Sequence, residues 1–406
     1  MTGMALFSFK QQKLHRNTLN NQSVVKIGNK VRNFKPSYQK DFFKAQHMTD
    51  TTHQPIDQLL LYCRPGFEKE CATEIQLQAQ TANLSGYIKT KPDSGYVQYC
   101  LLDKHSAEEL NNSIAYNLLV FTRQCIFASN IIKDLPVDDR ITPLCEHIKL
   151  FGLQFNDVFL ETPDTNDGKQ LSGFCKKFIH PLIQSLKQQS LINRDSPWRL
   201  HGFFLSSAAM YLGITHINNS SADQMGIMRL HMPRNAPSRS TLKLEEAFKT
   251  LLSEQEQQKY LRNGMNSVDL GASPGGWTWQ MVQRGIRVIA VDNGNMDQAL
   301  MDSGLVEHQQ ADGFVYAPPK QVDWLLCDMV ERPLHIARLI ARWLVEGHCK
   351  HAVFNLKLPM KQRYQMVEDC RSLLETTMQQ AGIRYEIRMK QLYHDREEIT
   401  CIIIRH

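Results

Sequence analysis

The chain has 406 residues, long for a single core, and its 42% hydrophobic and 22% charged content is that of an ordinary globular protein. Its net charge of +6 is no case for nucleic-acid binding, because residues 1–50 hold 9 Lys/Arg against 2 acids while the other 356 residues hold 38 against 39; any RNA surface on the body must be a local patch. The lack of an apolar run of about 18 residues excludes an ordinary membrane span, and ten cysteines without a CxxC pair argue against a zinc site and for a reducing cytoplasm.

In chain order, residues 1–57 form a Lys-, Asn-, Gln- and Ser-rich extension without a sustained apolar period, which predicts disorder. A hold on RNA phosphate is the alternative use for it, and Met48 is an alternative start. Residues 58–132 read as a small α+β unit. It has a buried strand at 58–63, a Pro-Gly turn at 64–66, an amphipathic helix at 67–77, and strands at 95–102 and 118–129. Residues 133–232 read as a second α+β unit with helices at 137–150 and 171–188, a short strand at 157–161, and alternating strand residues over 198–215. His201, His216 and His231 are scattered there and read as structural or surface groups rather than metal ligands.

The stretch PRNAP at 233–237 is a Pro-bounded linker. After it, strands at 267–270, 288–291, 324–327, 352–356, 385–389 and 399–404 alternate with helices at 242–252, 278–284, 333–344 and 363–380. That alternation implies an α/β domain with a mostly parallel sheet and helices on both faces.

Ligands of such sheets bind beyond the carboxyl ends of the strands. The run VDLGASPGGWT at 268–278 ends the first strand there. Gly271 permits a sharp turn, and Gly275 and Gly276 remove side chains where a ligand would press on the backbone. A dinucleotide site wants Gly at 273, where Ser273 stands, and Pro274 removes an N–H that pyrophosphate would use. The turn suits S-adenosylmethionine better; a purely structural turn is the alternative. Asp292, at the end of the next strand, can accept from ribose hydroxyls, and Asp312, in QQADG, from an adenine amino group.

Four ionisable residues flank strand or helix ends of one sheet edge: Lys243 in SRSTLKL, Asp328 after WLLC, Lys357 after AVFNL, and Glu398 in DREEIT. With the turn DLGASPGGWT, the set resembles the Lys-Asp-Lys-Glu tetrad of the FtsJ-type 2′-O-ribose methyltransferases over 238–406. That resemblance implies a Rossmann-like class I domain, Lys357, Lys243, Asp328 and Glu398 as catalytic residues, and S-adenosylmethionine as cofactor. Ser240, Ser273, Pro274, Gly275, Gly276, Asp292, Asp312 and Asp328 would hold that cofactor. Glu397 adjoins Glu398, and the strand register favours Glu398.

From about residue 58, with LLLYCRPGFEKEC and HDREEIT, the chain resembles a narrower family, the ribosomal RNA large subunit methyltransferase M family. The resemblance implies ferredoxin-like (58–132) and THUMP-like (133–232) units before the catalytic domain. It also implies methylation of a cytidine 2′-hydroxyl in 23S ribosomal RNA, by a cytoplasmic monomer with no metal and no membrane partner. An NAD-dependent oxidoreductase and a non-catalytic RNA-binding or assembly protein are the competing readings.

Lys357 would take the hydroxyl proton. A free lysine titrates near ~10.4, so a neutral one at pH 7 costs about 4.6 kcal/mol; nearby positive charge and burial would lower that. Arg64, Phe67, Lys69, Lys176 and Lys177 are candidate RNA contacts.

Overall fold

The computed structural model describes residues 55–406. The extension expected over 1–57 lies outside the described residues apart from its last three. No helix among the described residues is long and apolar enough to cross a membrane.

The run QLLLYC has no polar face because it is a central strand. β1 (Gln58–Cys63) is buried along its whole length and pairs antiparallel on both sides. After α1 (Glu68–Thr81) come β2 (Gly86–Thr90), β3 (Tyr96–Leu101), α2 (Ala107–Ser113) and β4 (Thr122–Ala128). β2 is a half-exposed edge strand and α2 a two-turn helix; neither carries an apolar period long enough to predict. α2 does show a capping box, Ser106 with Glu109, which marks its start in the sequence. Then follow α3 (Ile141–Lys149), β5 (Val158–Glu161), α4 (Asn166–Gln188), β6 (Trp198–Ser206) and β7 (Ala209–His216). The alternating stretch at 198–215 is thus a hairpin, whose turn lacks the Gly or Pro that would have announced it.

Strand pairing runs on past residue 132. Phe127 and Ala128 of β4 face Ile214 and Gly213 of β7, giving one sheet of order β2-β3-β1-β4-β7-β6-β5. Across its strands, Tyr62 donates to Glu161 (2.8 Å), Glu161 faces His201 Nδ1 (2.8 Å), and His201 Nε2 meets Thr215 Oγ1 (3.0 Å). His201 is therefore a satisfied buried group.

Gly226 packs this sheet from one side. Its φ is +61°, and a Cβ there would lie 1.9 Å from the carbonyl oxygen of Arg123. Gly226→Ala is expected to destabilise the protein by about 3 kcal/mol, from backbone clash added to left-handed strain, seen as a lower urea midpoint at unchanged slope.

The second sheet follows α5 (Ser240–Leu251) and α6 (Glu254–Tyr260). It comprises β8 (Asn266–Leu270), α7 (Gly276–Val282), β9 (Arg287–Val291), α8 (Gln298–Met301), β10 (Val306–Gln309), β11 (Val322–Cys327), α9 (Pro333–Val345), β12 (Cys349–Lys357), α10 (Arg363–Gln380), β13 (Tyr385–Lys390) and β14 (Glu398–Arg405). The order is β10-β9-β8-β11-β12-β14-β13, parallel from β10 to β12, with β14 antiparallel to both neighbours. The chain reverses its direction of travel between β8 and β11, so the switch point lies beyond Leu270 and Cys327. Because β14 runs antiparallel, its first residue, Glu398, stands at the edge where β12 ends with Lys357.

Candidate active site

The turn after β8 is built by close packing. Gly271 has φ +74°, and a Cβ there would meet Met329 Cγ at 2.6 Å. Packing of the chain itself also requires Gly275 and Gly276 to be small. Added Cβ atoms would strike Leu300 Cδ1 at 2.3 Å and Ser240 Oγ at 2.0 Å, so these glycines let the turn press on α8 and α5 of its own chain. Ser240, hydrogen-bonded to Ser238 (2.7 Å), stands behind the turn with them, and Pro274 is exposed.

In front of the turn, a cleft of about 450 Å³ opens beyond the carboxyl ends of β8, β9 and β11. Ser273, Asp292, Asp312 and Asp328 line it together with Gly271 and Met329. Asp292 accepts from the backbone N–H of Ser273 (3.1 Å) and of Gly294 (2.7 Å), one on each oxygen, which leaves a lone pair on each for a ligand. Asp312 accepts from Phe314 N (2.8 Å) and is exposed. Three aspartates and no lysine or arginine line the cleft. That donor set fits a ligand with a sulfonium, an ammonium and ribose hydroxyls, and it repels pyrophosphate.

Asp269, which sequence reasoning passed over, is buried under the turn and accepts from Thr278 Oγ1 (2.7 Å). Burial pushes it up to about 7. Its position at the end of an apolar strand was the available signal.

Beside the cleft the four charged residues meet. Lys357 Nζ lies 2.5 Å from Asp328 Oδ1 and also contacts Glu398. Lys243 Nζ lies 3.4 Å from Asp328 Oδ2 and contacts Glu398 Oε1. Two lysines and two carboxylates therefore form a closed ring of opposite charges. Glu398 is the deepest, with a side chain only 6% exposed. Its neighbour Glu397 turns outward to Arg363 (2.9 Å). Burial alone would lower the Lys357 ammonium, but the charges and hydrogen bonds of Asp328 and Glu398 outweigh it and hold Lys357 above its ordinary range. In this state Lys357 is cationic, contrary to the lowered value that a base would have.

The connection from β13 to β14 is held from two sides. Glu246, one turn along α5 from Lys243, accepts from Tyr393 N (2.8 Å) and His394 N (2.9 Å) and meets His394 Nδ1 (2.6 Å). From the turn after β1, Arg64 donates to the carbonyls of Tyr393 (2.6 Å) and Asp395. Lys390 donates to Leu119 O (2.7 Å), and Gln391 N to Val120 O (2.8 Å). Burial pulls Lys390 down to about 8 although Glu74 acts the other way. Phe67 is buried under the Arg363 guanidinium. Arg64 and Phe67, candidates for RNA contact, thus join the two halves of the molecule, while Lys69, Lys176 and Lys177 are exposed.

Among the described residues no group of three His, Cys, Asp or Glu side chains could hold a metal ion. Family models match along the chain: an RlmM ferredoxin-like domain at 56–126, the N-terminal model of ribosomal RNA large subunit methyltransferase M at 139–216, and an FtsJ-like methyltransferase at 236–367. The last implies S-adenosylmethionine as cofactor. Proteins called ribosomal RNA large subunit methyltransferase M are similar over most of the length. That of Cellvibrio japonicus is 49% identical, covering 85% of this chain and 98% of that protein. That of Methylococcus capsulatus is 51% identical over 84% and 96%, and that of Mannheimia succiniciproducens 47% over 86% and 99%. The chain belongs to the ribosomal RNA large subunit methyltransferase M family and is an S-adenosylmethionine-dependent ribosomal RNA methyltransferase.

Proposed function

We propose that the methyl group goes to the ribose 2′-hydroxyl of a cytidine in 23S ribosomal RNA, with Lys357 receiving the hydroxyl proton. The observation that carries the reading is the meeting of Lys243, Asp328, Lys357 and Glu398 beside an acidic cleft. The cytidine is what the family resemblance implies.

S-adenosylmethionine, when bound, supplies an electrophilic methyl group. Ser273, Asp292 and Asp312 would hold it, with the turn at Pro274, Gly275 and Gly276 and Ser240 behind it keeping Ser273 in place. The chain's remaining work is to orient the hydroxyl and remove its proton. An ammonium cannot accept a proton outright. Lys357 takes one from the hydroxyl as it passes one to Asp328 or Glu398, so its own proton count is unchanged and the proton ends on a carboxylate. Lys243 keeps both carboxylates in place.

Asp292→Ala is expected to raise the dissociation constant of S-adenosylmethionine by roughly tenfold to a hundredfold, the effect of losing about 1.5–3 kcal/mol of hydrogen bonding to a charged group. Calorimetric titration measures it, and an unchanged constant would remove the ribose role of Asp292.

The division into a ferredoxin-like unit at 58–132 and a THUMP-like unit at 133–232 belongs to the same reading and is supported by the separate matches at 56–126 and 139–216. A cytoplasmic place of action agrees with ten free cysteines. The test of the whole reading is a map of ribose methylation in 23S ribosomal RNA from cells lacking the protein. Loss of one 2′-O-methylcytidine, restored by the wild-type chain, is expected; an unchanged map, or loss of a base methyl group, overturns it.

A further inference from the structure

Beneath the four charged residues lies a second tier of polar side chains that the reaction does not touch. Asn355 and Lys357 are two residues apart on β12, as are Glu398 and Thr400 on β14, and the register pairs Asn355 with Thr400 and Lys357 with Glu398. The period of two puts all four side chains on one face of the sheet. Asn355 Nδ2 donates to Asp328 Oδ1 at 2.9 Å. Thr400 Oγ1 lies 2.8 Å from Asn355 Oδ1 and 2.9 Å from Asp395 Oδ2. Asn355, Thr400 and Asp395 are all buried.

With each contact a full hydrogen bond, one arrangement of protons satisfies them all. Asp328 is paired with two lysines, so it is a carboxylate and accepts. The Asn355 amide must then turn its NH₂ to Asp328 and its oxygen to Thr400. Thr400 has a single hydroxyl proton, and the amide oxygen requires it. Thr400 can therefore only accept from Asp395, which must carry a proton. Two observations agree. Asp395 Oδ1 is buried without a hydrogen-bond partner, a poor setting for a charged oxygen. Burial, with Glu398 adding to it, pushes Asp395 well above the usual carboxylate range.

We propose that Asp395, Thr400 and Asn355 are positioning residues for methyl transfer. A one-way chain of hydrogen bonds from a protonated Asp395 through Thr400 and Asn355 fixes the Asp328 carboxylate, and Asp328 in turn fixes Lys357. This inference rests on the reading of the four charged residues as the reacting centre. Asp395 is itself anchored, because Leu392 N donates to its carboxyl (3.1 Å) and Arg64 to its main-chain carbonyl.

The test uses the full chain, with methyl transfer to 23S ribosomal RNA measured beside S-adenosylmethionine titration. Thr400→Val and Asp395→Ala each lower kcat by ~10-fold or more with unchanged KM for RNA and unchanged cofactor affinity. Asp395→Asn keeps a donor facing Thr400 and restores most of the activity lost in Asp395→Ala. Wild-type kcat in Thr400→Val overturns the proposal. So does an Asp395→Asn variant as impaired as Asp395→Ala, since that would make a charged carboxylate the requirement. A wild-type protein that binds cofactor and leaves the 2′-hydroxyl unmethylated would remove the reading of the charged centre, and this chain with it.

Discussion

Lys357→Ala is expected to lower the rate of methyl transfer by roughly 10³-fold, the middle of the range for a positioned acid–base group, while S-adenosylmethionine binds as before. The separation follows from geometry. Lys357 touches Asp328 and Glu398 but is not among the residues lining the cleft where the cofactor is placed. Lys357→Arg sharpens the test. It keeps a cation between the two carboxylates, yet a guanidinium does not give up a proton in the working pH range. If Lys357 passes a proton onward as it receives one, the arginine variant is nearly as slow as the alanine variant. If Lys357 only orients the hydroxyl by charge, the arginine variant keeps substantial activity. Single-turnover methyl transfer to 23S ribosomal RNA separates these results, and full activity in Lys357→Ala would end the assignment.

The second large effect belongs to a residue outside the charged ring. Glu246 is buried and accepts from two main-chain N–H groups and a histidine. Glu246→Ala leaves those donors without an acceptor, which costs about 3 kcal/mol of stability. It also loosens residues 391–397 on the α5 side, leaving Arg64 and Val120 to hold the segment that delivers Glu398 to Lys243 and Lys357. The expected result is a lower unfolding midpoint together with a fall in kcat of ~10-fold or more. Glu246→Gln keeps one acceptor and should recover part of both. A Glu246→Ala protein that is less stable but fully active would show that Glu398 is held by β14 alone.

The core strands of the catalytic domain were legible because central parallel strands are buried on both faces and read as continuous apolar runs. Leu325, Leu326, Val353 and Phe354 belong to such runs and are fully buried. The edge strand β10, with sequence VEHQ, was missed because one exposed side leaves it no such run. α6 was missed for its length, although Ser253 and Glu256 form a capping box. At the site, Lys243, Asp328, Lys357 and Glu398 could be named from their places at element ends. What holds them could not. Glu246, Asn355 and Asp395 are ordinary residues in the sequence, and their importance depends on which strand lies beside which and on how an antiparallel register falls. The same limit explains Arg64 and Phe67. A basic and an aromatic residue near a turn suggest RNA, and only the packing reveals a joint between halves of the molecule.

That joint makes the two halves poor candidates for exchange. Residues 390–397 are gripped by Arg64 and by the carbonyls of Leu119 and Val120, all supplied by the part of the chain before the linker. A catalytic domain cut at residue 238 would expose the Lys390 ammonium and lose the grip next to Glu398. Grafting a foreign recognition module onto residues 238–406 would therefore redirect a weakened enzyme unless the graft brought its own clamp. The catalytic geometry of this protein depends on both halves of the chain, and directed evolution toward a new target should begin from the intact chain.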